Sequence, residues 1–199
     1  MHRNLYITGI IVFTIVGLFG CFWLFNSLIH GTEFTEFVAF PNLTIIDGIN
    51  VLILEIVFLV YLHLKKYKVA FAFSLLSAIT FLILYSTVYL FYQGVGAGDS
   101  INLIVTIHLV AVTLFSLSLI FSKSSERPLL KTAGYLGAVV GLIILPTHVV
   151  GVYMPEGATL DILIYIGMLV GRLGGLIVIF YILNFYQELR SEVNAALQT

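Results

Sequence analysis

The chain has 199 residues, of which 60% are hydrophobic and only 10% charged, and its formal net charge is -1. A soluble domain carries about 25% charged residues, so this composition excludes a water-soluble fold, and the near-zero charge excludes the basic field that nucleic-acid binding needs. One cysteine, Cys21, excludes an internal disulfide and a thiolate-only metal site; in its apolar run it reads as a small buried hydrophobe.

Six apolar runs follow one another: Leu5–Ile29, Thr44–Leu64, Val69–Gln93, Ile101–Ser122, Thr132–Met154 and Leu160–Gln187. Each is long enough to cross about 30 Å of hydrocarbon at 1.5 Å per residue. None shows the alternation of barrel strands, and in lipid the backbone must satisfy its own hydrogen bonds, so helices follow. The expected fold is an all-α integral membrane protein, a single domain over residues 1–199 built as one bundle of six transmembrane helices. Its first partner is the lipid bilayer.

The first run follows Arg3 and so imitates a secretory signal. It is too long for an ordinary signal core and no small-residue cleavage site follows, so it reads as a retained helix. The loop after it carries Phe34, Phe37, Phe40 and Pro41, an aromatic content that places it against the bundle or in the headgroup layer. The second run contains Asp47 near its start and Glu55 near its middle, and ends at His63, which snorkels toward the interface. Serines in the third and fourth runs (Ser74, Ser77, Ser86, Ser116, Ser118) have no base near them in sequence and are expected to bond back to helix carbonyls. Gly94–Ser100 reads as a flexible connector.

His108 lies in the fourth run and His148 in the fifth, next to Pro146 and Thr147. The proline removes a backbone donor, so a kink is expected there. Ala133, Gly137 and Gly141 repeat every four residues along the fifth run, as Gly167, Gly171 and Gly175 do along the sixth. Such small-residue ladders let helix backbones approach, which matters where lipid supplies no hydrophobic drive between helices. Close packing of the fifth and sixth helices is the expected result. The sixth run is the longest and holds Arg172; the polar tail from Glu188 reads as its helical extension.

The connections alternate in charge. One set contains Arg3, Lys65, Lys66, Lys68, Lys123, Arg127, Lys131 and Arg190; the other holds Glu33, Glu36, Asp99 and Glu156 and no lysine or arginine. The positive-inside rule then makes both termini cytoplasmic. For a prokaryotic source the location is the cytoplasmic or inner membrane.

Ionisable groups within spans are functional candidates by default. Glu55 and Arg172 both fall near mid-bilayer by residue count, and an ion pair between them is expected. His108 and His148 come level if the fourth and fifth helices form a hairpin. With Asp47 and Thr147 they would line a polar cavity above that pair. Level histidines on two helices also meet the requirement for axial ligation of haem b.

Nucleotide-binding, zinc-protease, serine-hydrolase and dithiol motifs are absent from the sequence. Three functions stand side by side. The leading one is a non-enzymatic component that moves protons or a small solute, alone, as a homo-oligomer or with partner membrane subunits. The second is a b-type cytochrome exchanging electrons with quinone through His108 and His148. The third is a structural or assembly subunit whose buried ion pair is static.

Overall fold

The computed structural model describes residues 2–30, 41–91, 99–153 and 158–197. The aromatic loop 31–40, the glycine-rich residues 94–98 and Glu156 lie outside the described residues. Seven α-helices are present among the described residues: α1 (Arg3–His30), α2 (Pro41–Leu64), α3 (Lys68–Phe91), α4 (Asp99–Phe121), α5 (Pro128–Tyr153), α6 (Ala158–Gly174) and α7 (Val178–Leu197). Prolines open α2 and α5, positions where a missing N–H leaves no helical hydrogen bond unmade. Six helical segments are long and apolar enough to cross a membrane, the last of them running through α6 and α7.

The sixth span is not continuous. A 3₁₀ turn at Gly175–Ile177 separates α6 from α7 where one unbroken helix was expected. Gly174 and Gly175 are adjacent there, and glycine pairs give the α-conformation the least support. By contrast α5 passes through Pro146 as one helix. There the Thr147 hydroxyl reaches the carbonyls of Ile143 and Ile144, at 3.0 and 2.8 Å.

Each span packs on the next in chain order, and the sixth closes back on the first, so the bundle is a ring. The two small-residue ladders do not simply face one another. Gly134, Gly137 and Gly141 of α5 receive Ser116, Leu119, Ile120 and Thr113 of α4. Gly167, Gly171 and Gly174 receive Thr147, Ile144 and Val140 of α5. Gly175 approaches Gly20 of α1 backbone to backbone. Ala133 is fully buried.

Lys65 and Arg127, from two different turns, meet Glu188 at one end of the ring, called here the basic face; His2 lies there beside α7, and its N–H donates to Glu192 Oε1 at 2.7 Å. The buried core occupies the half toward this face. Phe13, Phe58, Tyr61 and Phe185 form its aromatic centre, flanked by Tyr6, Leu62, Tyr67, Leu119 and Leu130. Leu18, Ile56, Leu103, Val139 and Leu142 are exposed on the outside, as a lipid-facing surface requires. Cys21 belongs to that exposed surface and not to the core expected from its apolar run.

The glycines differ in how much room they have. A Cβ on Gly134 would lie 2.8 Å from the Ser116 carbonyl oxygen, which is backbone and cannot swing away. A Cβ on Gly20 would meet Gly175 at ordinary contact, 3.8 Å. Gly134→Ala is therefore expected to destabilise the bundle by about 1–3 kcal/mol, and Gly20→Ala by much less. Thermal unfolding of both variants in detergent checks this ordering.

Candidate functional site

Glu55 points from α2 toward α3, where the hydroxyls of Ser74 and Ser77 donate to its two oxygens, each at 3.5 Å. These two serines therefore depart from the back-bonding expected of them. Ser86, Ser116 and Ser118 do bond back to the carbonyls of Leu82, Val112 and Phe115. The expected Glu55–Arg172 ion pair does not occur among the described contacts; the carboxylate's partners are serines of the neighbouring helix, at the long limit of a hydrogen bond. Residue counting fixes depth along a helix but not the face, and Glu55 is turned to α3 while Arg172 borders another space.

Glu55 lines a chamber of about 280 Å³ at mid-depth. Every span contributes to its wall: Phe13, Glu55, Ser77, Ser116, Gly141, Gly171 and Tyr181 are drawn from α1, α2, α3, α4, α5, α6 and α7 in turn. Among the described residues Glu55 is the one charged group on this lining. The chamber exists because the six-helix ring has a centre, and because the glycines of α5 and α6 leave space there.

A second cavity, of about 520 Å³, lies between α4, α5 and α6 in the half away from the basic face. Asn102, Thr147, His148, Gly167 and Arg172 line it. Ile144 and Gly171 belong to both linings, so they form the partition between the two spaces. A Cβ on Gly171 would come within 3.3 Å of Ile144 Cδ1, which shows how narrow that partition is.

His108 and His148 serve different neighbours. His108 Nδ1 is 3.0 Å from the Thr80 hydroxyl of α3, with the Phe81 ring beside it. His148 Nε2 approaches the Asn102 carbonyl at 3.4 Å and borders the larger cavity. The hairpin brings them to similar depth, yet the imidazoles do not face a common space, so the geometry lends no support to haem held between them. No grouping of three or more His, Cys, Asp or Glu side chains suited to a metal ion occurs among the described residues. Asp47 lines neither cavity among the described residues; its Oδ2 accepts from Trp23 Nε1 at 2.7 Å and joins α2 to α1.

A buried ion pair is present, at a position not expected from the sequence. Glu188 of α7 is 5% exposed, and its carboxylate meets Lys65 Nζ at 2.6 Å and Arg127 Nη2 at 2.9 Å. The Tyr61 hydroxyl is 3.5 Å from the same carboxylate and accepts from Asn184 Nδ2 at 2.9 Å. Lys65 also lies over the rings of Tyr6 and Tyr61, 5.8 and 5.9 Å from their centroids.

Local structure delivers these partners. The end of α2 is a Schellman motif, with Lys66 N–H on the His63 carbonyl, Tyr67 N–H on the Leu62 carbonyl and Lys66 at φ 59. That motif turns Lys65 toward α7 and buries Leu62 and Tyr67 together. Partial burial works against the charge of Arg127, but the hydrogen bond to Tyr67 and the charge of Glu188 outweigh it and raise its pKa above the ordinary arginine value. A readable signal existed: Tyr181, Asn184 and Glu188 share one helical face, with polar groups on the inward stripe of an apolar helix.

Comparison with protein-family models, with curated proteins and with solved structures gives no match to this chain.

Glu188→Gln removes both ion pairs and is expected to lower stability by about 1–3 kcal/mol. The Arg127 side chain is 41% exposed, and solvent screens it, so Arg127→Gln is expected to cost under about 1 kcal/mol. Unfolding of the variants in mixed detergent gives the comparison; an Arg127 effect as large as that of Glu188 would contradict the described burial.

Proposed function

We propose that this protein is a membrane component that translocates protons or a small solute, with Glu55 as the group that binds and releases. The observation that carries this reading is the mid-depth chamber lined by all six spans and holding a carboxylate. A carboxylate in the hydrocarbon region is costly, and a static bundle would have no use for one held by two long hydrogen bonds. In this reading the basic face is cytoplasmic, in keeping with the one-sided lysines and arginines.

Access is through the larger cavity. It shares Ile144 and Gly171 with the chamber, and a side-chain movement of Ile144 joins the two spaces. Toward the basic face the path is closed by Phe58 stacked on Tyr61 with Phe185 tilted against both, and beyond them by the Glu188 ion pairs. In this reading Ile144 gates the chamber toward the larger cavity and the aromatic rings shut it toward the basic face, the two barriers that alternating access requires. The 3₁₀ turn at Gly175–Ile177 lies beside the chamber and supplies a hinge between α6 and α7.

Flux in proteoliposomes tests the proposal. Dissipation of an imposed pH gradient, read with an internal dye, is expected to fall by on the order of tenfold or more in Glu55→Gln. Gly171→Val, which thickens the partition, is expected to slow flux while the protein remains folded by gel filtration. Flux unchanged in both variants would favour the structural-subunit reading instead.

A further inference from the structure

The chamber combines one carboxylate with an aromatic wall. Phe58 follows Glu55 by three residues and so shares its face of α2. Around Phe58 stand Tyr181 at 4.9 Å, Phe115 at 5.7 Å and Phe13 at 5.8 Å between ring centroids, and all four rings line the chamber. Phe13 and Phe115 meet the Phe58 ring edge-on and Tyr181 meets it tilted, so the four rings do not form one parallel stack.

An ionised carboxylate offers about four acceptor positions. Ser74 and Ser77 occupy two of them from the α3 side, at the long limit of a hydrogen bond. Glu55 also lines the chamber, so a ligand there can reach it. A carboxylate beside aromatic rings is the recognition chemistry of organic ammonium ions. The chamber, about 280 Å³, falls just under the range of drug-sized sites of roughly 300–1,000 Å³. It therefore suits a cation of few heavy atoms. Arg172 lines the adjoining cavity and not this one, so among the described residues Glu55 is the ionisable acid that a cation in the chamber meets.

We infer that the chamber binds a small organic ammonium ion, its charge against Glu55 and its alkyl groups against Phe58, Phe115 and Tyr181. This rests on the reading of the chamber as a translocation site for its biological meaning, but binding itself is separable from flux.

Calorimetry on the whole protein in detergent tests it with choline and with dimethylbutanol, the uncharged carbon isostere of choline. Choline is expected to bind and the alcohol not to bind. Glu55→Gln is expected to abolish choline binding, and Phe58→Leu to weaken it roughly threefold to thirtyfold. Phe115→Leu serves the same purpose should Phe58→Leu not fold, with gel filtration as the check. Equal binding of the alcohol, choline binding retained in Glu55→Gln, or no choline binding by the intact protein would each overturn the inference. Choline binding that follows the expected pattern without choline or proton flux in liposomes supports the inference and removes the translocation reading. Proton flux without choline binding does the reverse.

Discussion

Glu188 is the residue on which the arrangement of the bundle turns. A carboxylate that is 5% exposed is tolerable only with its charge compensated, and compensation comes from two separate turns, Lys65 after α2 and Arg127 before α5. One side chain on the last helix thus fixes the ends of four others, and Lys65 brings in α1 through the ring of Tyr6. Lipid gives helices no hydrophobic reason to associate, so a network of this kind does what apolar burial does in water. The ring of helices is closed at the basic face by electrostatics and by the aromatic core just beneath it.

The opposite half is built differently. Its helix contacts depend on glycines set against side chains of the next helix, and such contacts bring backbones close without filling the centre. The result is a graded interior: dry and aromatic near the basic face, with a carboxylate-lined chamber at mid-depth and a larger polar cavity beyond it. The 3₁₀ turn between α6 and α7, at Gly175–Ile177, separates the helix that carries Glu188 from the glycine-lined α6.

The six spans were legible in the sequence because hydropathy and length report directly on what lipid requires of a backbone. Residue counting along each span gave Glu55, His108 and His148 an expected depth but no side. Facing was not legible. Spans with apolar residues on every side carry almost no amphipathic signal, so nothing in the sequence assigned Glu55 to Ser74 and Ser77 rather than to Arg172. The same lack of facing information made His108 and His148 look like partners when one serves α3 and the other the α4–α6 cavity. Glu188 was misjudged because a charged residue near a chain end reads as solvated tail, and its burial depends on two turns far away in sequence. The 3₁₀ break escaped because a double glycine inside an apolar run is equally compatible with tight helix packing.

In the proposed reading the chamber around Glu55 communicates with one side of the membrane while the Glu188 network shuts it from the other. Sidedness of thiol labelling measures this most directly. With Cys21 replaced by serine and a single cysteine placed at Ser77, a small impermeant thiosulfonate should react from the side opposite the basic face only. Adding Glu188→Gln should make the same cysteine reactive from the basic side as well. Labelling from the basic side in the otherwise intact protein, or from neither side under any condition, would contradict the account.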